Sequence, residues 1–174
     1  MTKKIKLIAL GLLIFPLITM GQKSNPLKID TAKILANENL NGFYQSFHTA
    51  NFQIFENTDA IPGVVKKGLH KLTKGFSIAN PGKPYRCCCT SPGRLPIRQL
   101  NFLAKSKDIL VMTYKTGGIA VSTHLLLVKF DKNKIIDLWT DYCWADIKKV
   151  SDIIYYIDEM IKNGKKHNSN IIVL

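Results

Sequence analysis

The pattern in this sequence with the clearest chemical potential is a histidine that faces an aspartate across two neighbouring predicted strands. Symmetric closure of the turn Asp131–Lys134 pairs His124 with Asp141. A carboxylate beside an imidazole fixes its tautomer and raises its basicity, which is the orienting half of a nucleophile–base arrangement. Ser122 shares the face of His124 and Cys143 is diagonal to it, so either is a candidate nucleophile of a hydrolase.

Two observations weigh against catalysis at this pair. Side chains within a flat ladder seldom present the exposed geometry that nucleophilic attack needs, and the sequence contains neither a G-x-S-x-G elbow nor a papain-like cysteine signature. Three interpretations of His124 therefore stay open: a half-buried histidine satisfied by its cross-strand neighbour, part of a ligand-binding site, or a catalytic base.

Other side chains of the same region suit ligand binding. Arg98, together with Arg86 or Arg94, can receive a carboxylate or phosphate through bidentate hydrogen bonds, or can pair with aspartates at the rim of the sheet. Trp139 and Trp144 can stack on a sugar or an aromatic group, or can belong to the core. The candidate ligand-binding residues are His124, Asp141, Ser122, Arg98, Trp139 and Thr113.

A metal site is not predicted. Asp137 and Asp141 are four residues apart on one strand, which separates their Cβ atoms by roughly 13 Å. One ion does not easily hold both carboxylates together with His124, and no cofactor is expected.

An antiparallel meander of four strands, from Ile97 to Cys143, is predicted to position these residues. Gly117-Gly118 suits a two-residue primed turn that pairs Thr116 with Ile119. A weaker turn signal at Ser106-Lys107 joins the first two strands. Because successive side chains alternate between faces, a slip of one residue would exchange every face assignment.

With this register, one face of the sheet is apolar and the other is mixed. Neither face is polar enough to be fully exposed to solvent, so each is expected to be covered by further elements or to form a pocket. The mixed face is apolar at one end, and its polar end carries Arg98, Thr113, Ser122, His124, Asp137, Asp141 and Cys143.

Helices are predicted after Asp30, from Pro62 and after Asp146, because apolar residues recur there at helical spacing. The first helix is weakened in its middle by asparagines and Gly42, so two short helices are an alternative. The fold class is α+β: N-terminal helices, a four-stranded antiparallel meander and a C-terminal helix packed on the sheet. Helices before a curved meander are similar to the cystatin-like or nuclear-transport-factor-like cone, although the helix after the sheet departs from that pattern.

The four cysteines are unusually placed, because Cys87, Cys88 and Cys89 are consecutive and Cys143 stands alone. Neighbouring Cα atoms are about 3.8 Å apart, below the usual disulfide range. A disulfide between the triplet and Cys143 is therefore the more comfortable pairing. Buried thiols, and metal or redox chemistry, are the alternatives.

The N-terminus is typical of a secretory signal peptide. Lysines precede an apolar run from Leu7 to Ile18, and Thr19-Met20-Gly21 fits cleavage after Gly21. The run is short for a membrane span. We expect residues 1–21 to be removed and residues 22–174 to form a single exported domain, in the periplasm or secreted, with no transmembrane span after cleavage.

Charge and composition leave three functional hypotheses. The net charge is +13, but its lysines are scattered and form no basic stripe interleaved with aromatics, so nucleic acid is not an expected partner. The first hypothesis is a non-catalytic binding module that holds a small apolar or amphipathic ligand, or an envelope protein, on the mixed face. The alternatives are a hydrolase built on His124 and Asp141, and an inhibitor or immunity-type protein matched to an acidic target.

The signal-peptide prediction has a direct test. We expect protein purified from the exported fraction to begin at Gln22, because signal peptidase cleaves after small residues. Intact mass spectrometry with and without reductant measures both this cleavage and the number of disulfides. A mass that retains residues 1–21 would contradict the prediction of a cleaved signal.

Overall fold

A meander of four antiparallel strands forms the centre of the molecule, as the sequence predicts. The computed structural model describes residues 31–73, 75–87, 93–118 and 120–164. Its elements in chain order are α1 (Thr31–Ala36), α2 (Leu40–Phe47), β1 (Gln53–Ile54), a 3-10 turn (Thr58–Ala60), α3 (Gly63–Thr73), β2 (Ile78–Ala79), β3 (Arg98–Lys105), β4 (Ile109–Thr116), β5 (Ser122–Phe130), β6 (Ile135–Tyr142) and α4 (Val150–Lys162).

The sheet runs in the order β1-β3-β4-β5-β6, and β2 pairs with the other half of β3. The short strand β1 is antiparallel to the end of β3, whereas β2 is parallel to its beginning. These two-residue strands cover the outer edge of β3. They come from segments in which the sequence shows little periodicity, so β2 was not predicted.

Helices cover both faces of the sheet, and each face has its own core. On one face α2 and α4 pack over a core that includes Phe43, Leu127, Trp139 and Ile157. On the other face α3 packs over a core that includes Val65, Leu69, Met112 and Leu126. The predicted α+β class is confirmed, with a C-terminal helix on the sheet and two short helices at the N-terminus.

The free edge of β6 is closed by the connection between α1 and α2. Asn37, held at a positive φ of 53°, donates from Nδ2 to the Thr140 carbonyl at 2.8 Å and accepts from the Thr140 N–H at 2.9 Å. Asn39 donates to the Asp137 carboxylate beside it. A side-chain amide thus takes the place of a further strand, which satisfies backbone groups that would otherwise template aggregation.

The predicted two-residue turn at Gly117-Gly118 is wrong. Thr116 pairs with Ser122, so the connection between β4 and β5 has five residues and the register is moved by three. The glycines serve a different purpose. A Cβ on Gly117 would lie 1.9 Å from the Arg86 carbonyl oxygen, and Gly118 donates its N–H to the Cys87 carbonyl at 3.3 Å. This five-residue connection therefore packs closely against the backbone of Arg86 and Cys87.

The other two hairpins also depart from the predicted register: the β3–β4 turn is longer than predicted, since Lys105 pairs with Leu110, and each hairpin contains a bulge. Between β5 and β6, the pairing shifts between Lys129 and Phe130, which leaves Ile136 as an extra residue. His124 consequently pairs with Tyr142 rather than with Asp141. Between β3 and β4, a similar shift lies at Asn101.

The predicted disulfide to Cys143 is not formed by the described cysteines. Neither Cys87 nor Cys143 is in a disulfide. Cys143 is buried in the core under α4, where burial raises the pKa of its thiol to about 11. Cys87 is exposed beside the β4–β5 turn, so one of the two thiols is at the surface and the other is buried. Cys88 and Cys89 lie outside the described residues.

The predicted signal peptide, residues 1–21, also lies outside the described part of the chain. Within the described ranges, no helix has the length and apolar character needed to cross a membrane.

Replacing Gly117 with alanine tests the packing at the β4–β5 turn. We expect Gly117→Ala to lower the free energy of unfolding by about 1–3 kcal/mol, because the new methyl group overlaps the Arg86 backbone. Gly93→Ala is the matched control, since a Cβ there meets nothing within 4 Å. Urea denaturation of both variants measures the difference. Equal stability of the two variants would show that the close approach does not fix the turn.

Candidate functional site

The predicted pairing of His124 with Asp141 is wrong, because the two side chains lie on opposite faces of the sheet. His124 stands across from Tyr142, and the two rings are 4.8 Å apart between centroids. Asp141 stands across from Leu125, which belongs to the core under α4. The carboxylate of Asp141 accepts the N–H of Tyr142 instead. The bulge at Ile136 produces this one-residue change.

The predicted polar end of the mixed face is divided between the two faces. Arg98 and Ser122 lie in one cross-strand row with Thr116, and His124 follows in the next row, all on the face covered by α3. The residues that lie on the α4 face are Thr113, Asp137, Trp139, Asp141 and Cys143. Of the six candidate ligand-binding residues, the structure therefore brings together Arg98, Ser122 and His124.

The three candidate residues on the α4 face are buried in the core or hydrogen-bonded to neighbouring residues of the sheet. Trp139 is fully buried in the core. Thr113 accepts a hydrogen bond from Asn101 Nδ2 at 3.3 Å. Asp141 accepts the backbone N–H of Tyr142 at 2.7 Å. None of these side chains lies beside His124, so the predicted common pocket is not formed.

Arg98 is the most unusual residue of the α3 face. Its side chain is only 1% exposed, and no described carboxylate forms an ion pair with it. The guanidinium bonds the hydroxyl of Tyr114 and lies 4.8 Å from the ring centroid of Phe76. Burial lowers the pKa of Arg98, although arginine stays charged at any physiological pH.

The hydroxyl of Tyr114 extends this interaction across the sheet. It bonds the side chain of Thr140, whose own hydroxyl donates to the Leu125 carbonyl at 2.9 Å. Complete burial raises the pKa of Tyr114 to about 12, so the phenol stays neutral beside the arginine. The ring of Tyr114 also stacks on His124, with centroids 5.4 Å apart.

His124 is held between two tyrosines and is 1% exposed. Its Nε2 atom is 2.8 Å from Ser122 Oγ. The pKa of His124 is lowered to about 4, first by burial and then by the positive charge of Arg98, with a small opposing effect of Asp141. The imidazole is therefore neutral at physiological pH.

Four buried polar atoms at this end of the sheet have no hydrogen-bond partner within the described residues. They are Arg98 Nε, Arg98 Nη1, Thr116 Oγ1 and His124 Nδ1. The arginine nitrogens can only donate, the threonine hydroxyl can donate, and the histidine donates in the tautomer in which Nε2 accepts from Ser122. Together they form a set of donors around one positive charge, which is the chemistry that recognises a carboxylate or phosphate. We call Arg98, Thr116, Ser122 and His124 the donor cluster.

A basic pocket lies outside the donor cluster. It has a volume of about 380 Å³ and is lined by Lys66, Lys67, His70 and Lys71 of α3 and by Phe76. Phe76 therefore contacts the guanidinium of Arg98 on one side and the pocket on the other. The sequence marks these lysines as one face of a helix, but it gives no sign that Phe76 joins them to the sheet.

Tyr114 and Thr116 are further members of the site that sequence reasoning did not single out. Their positions in β4 follow from alternation, and the alternation signal places both on the same face as Met112. The sequence does not reveal the three-residue change of the β4–β5 register, which places Thr116 opposite Ser122 and Tyr114 opposite His124. With the predicted register, Tyr114 is interpreted as an ordinary core residue.

Comparisons of the chain with family models, with curated proteins and with solved structures find no match. The predicted similarity to a cystatin-like or nuclear-transport-factor-like cone therefore gains no support from a solved structure. Among the described residues, no group of three or more histidine, cysteine, aspartate or glutamate side chains is arranged to hold a metal ion.

The low pKa of His124 predicts a loss of stability in mild acid. In the unfolded chain the imidazole binds a proton as the pH falls through its ordinary pKa of 6.5, whereas the folded site resists protonation until about pH 4. The free energy of unfolding should fall across this window, on the order of 2 kcal/mol after allowance for partial solvation. Denaturation in urea at pH 7.5 and pH 4.5 measures it.

His124→Gln should remove most of this pH dependence, because glutamine does not titrate. His48→Gln, at an exposed histidine, is the control and should keep the wild-type dependence. If the free energy of unfolding of His124→Gln fell with pH as steeply as that of the wild type, the imidazole would not be held neutral in the fold.

Proposed function

We propose that the protein is an exported, non-catalytic binding protein that holds a small amphipathic anion on the α3 face of its sheet. The carboxylate or phosphate of this ligand would contact Arg98 and the other members of the donor cluster. One observation carries the proposal: the guanidinium of Arg98 is buried, and two of its nitrogens have no partner among the described residues.

Burial of this charge is expensive for folding alone. Moving an ionised group out of water costs several kcal/mol even after the surroundings relax, and arginine cannot escape this cost by losing its proton. A hydrogen bond from the guanidinium to the Tyr114 hydroxyl and the contact with the face of Phe76 offset only part of it. A ligand anion would supply the missing counter-charge and would accept from the donors that lack a partner.

The basic pocket supports an amphipathic rather than a purely polar ligand. Lys66, Lys67 and Lys71 would attract an anion electrostatically, while their methylene stems and Phe76 offer apolar contact. Its volume of about 380 Å³ is in the range of small-molecule sites. Rotation of Phe76 away from Arg98 would let an acidic head group reach the donor cluster while an alkyl or aryl portion stays in the pocket.

A hydrolase is the second candidate, because Ser122 Oγ lies 2.8 Å from His124 Nε2. A nucleophile beside an imidazole is the start of a catalytic arrangement. Two features oppose it. Asp141 is on the other face and cannot orient the imidazole, and Arg98 disfavours the imidazolium that a general base must become. Labelling of Ser122 by a fluorophosphonate probe in the folded protein would favour the hydrolase over the binding protein.

Binding of anionic amphiphiles tests the proposal. We expect laurate and octyl phosphate to bind the wild-type protein, and dodecanol, which has the same chain as laurate without the charge, to bind at least about tenfold more weakly. The expectation follows from charge-assisted hydrogen bonds worth about 1.5–3 kcal/mol. Isothermal titration calorimetry below the critical micelle concentration measures the affinities.

Arg98→Met separates a ligand-binding role from a structural one. Methionine fills a similar volume without charge, so we expect the free energy of unfolding to stay the same or rise by about 1 kcal/mol while laurate affinity falls at least about tenfold. Arg94→Met, at an exposed arginine, is the control and should bind laurate as the wild type does. A wild-type protein that ignores both anions, or an Arg98→Met variant that binds laurate normally, would contradict the proposal.

A further inference from the structure

A second cavity lies on the opposite side of the molecule from the donor cluster, between α4 and the segment that follows β6. Its volume is about 540 Å³. Three aromatic side chains, Trp144, Tyr155 and Tyr156, line it together with three carboxylates, Asp146, Asp152 and Glu159. The proposed anion site uses none of these residues.

Two of the aromatic rings are exposed to an unusual degree. Trp144 is 66% exposed and Tyr155 is 69% exposed, although large aromatic side chains usually contribute to a core. Tyr156 is fixed between them and the sheet, since its hydroxyl donates to the Tyr142 carbonyl at 2.8 Å and its ring meets that of Trp144 at 5.1 Å, edge to face. The cavity is thus lined by two exposed aromatic rings and by a third that is buried and hydrogen-bonded to the sheet.

The charge of the cavity is opposite to that of the chain. The sequence has 25 lysine and arginine residues against 12 acidic ones, yet among the described residues no lysine or arginine lines this cavity. The carboxylates keep local partners: Asp146 pairs with Lys148 at 2.9 Å and Glu159 with Lys162 at 3.6 Å.

Asp152 accepts the backbone N–H groups of Lys148 and Lys149, and its carboxylate is 4.0 Å from Lys149 Nζ. Ion pairs of this kind between exposed side chains are weak and are screened by water. These partners therefore leave the carboxylates only weakly neutralised.

We propose that this cavity binds an organic ammonium group, either quaternary or a protonated amine. Aromatic faces attract such cations through their quadrupoles, with about 0.5–1 kcal/mol at an exposed ring and about 2 kcal/mol where the contact is desolvated. The carboxylates add attraction at the rim, and the cavity is large enough for a choline-sized head group with a substituent. A neutral ligand of the same shape would gain only the apolar contact.

Choline and its neutral isostere 3,3-dimethylbutan-1-ol test this proposal, with sodium chloride added to hold the ionic strength constant. Trp144 reports binding by its fluorescence, while Trp139 is fully buried in the core and serves as a constant background. We expect choline to produce a saturable change that sodium chloride does not, and the isostere to bind at least about tenfold more weakly.

Variants at the exposed ring identify the contact. Tyr155→Ala should weaken choline binding about threefold or more, whereas Tyr155→Phe should stay within about twofold of the wild type because it keeps the aromatic face. Glu159→Gln should weaken it about twofold. Tyr155 is exposed, so these variants should keep the wild-type circular dichroism spectrum.

Equal binding of choline and its isostere would overturn the proposal, as would the absence of any saturable change, or a Tyr155→Ala variant that binds choline as tightly as the wild type. Each result is independent of the anion experiments, because the two sites share no residue.

Discussion

The close approach of Gly117 to the backbone of Arg86 and Cys87 is the constraint on which the α3 face depends. No side chain fits between them, and the β4–β5 connection that makes this approach has five residues, which moves the register by three. That register sets Arg98, Thr116 and Ser122 side by side across three strands. A tight hairpin at the same glycines would have carried Ser122 and His124 to the other face.

Contacts beyond the turn hold the donor cluster in place. Arg98 bonds Tyr114, Tyr114 bonds Thr140, and the backbone of Thr140 is held by the amide of Asn37 at the sheet edge. A buried charge is thus tied through side chains to the element that closes β6. Low local dielectric strengthens each of these bonds and makes each missing partner costly. The same effect keeps His124 neutral and makes it costly that two nitrogens of Arg98 have no partner within the described residues.

The two faces of the sheet differ in kind. The face under α2 and α4 has an apolar core that includes Trp139, and its polar side chains Asp137 and Thr113 have hydrogen-bond partners within the fold. The face under α3 combines an equally apolar core with the donor cluster at one end. Asp137 on the first face has Asn39 as a partner, whereas two nitrogens of Arg98 on the second have none within the described residues, and this difference supports the proposed binding role.

Periodicity and turn residues were sufficient to predict the four-stranded meander, the helix after it and the presence of helices before it. Alternation alone placed Ser122 and His124 on one face, because residues two apart on a strand share a face whatever the register. Arg98 was assigned to the same face because the errors in the predicted β3–β4 and β4–β5 registers cancelled. Pairing between strands was not predictable, since the bulge at Ile136 and the open turn at Gly117 depend on packing between distant segments.

The predicted disulfide to Cys143 was wrong because the spacing of cysteines along the sequence does not show which of them is buried. Cys143 lies in the core under α4. The interpretation as an inhibitor or immunity-type protein rests on charge alone and stays a prediction. Export likewise depends on the N-terminal sequence pattern.

Nitrogen-15 NMR of the arginine Nε–H groups, assigned with Arg98→Met, tests the central claim most directly. If the head group of an anionic amphiphile reaches the buried guanidinium, octyl phosphate should move the Arg98 Nε–H proton downfield, with the same concentration dependence as binding measured by calorimetry. An Arg98 signal that stays unchanged while the signals of α3 shift would contradict it, because the anion would then be held only by the surface lysines.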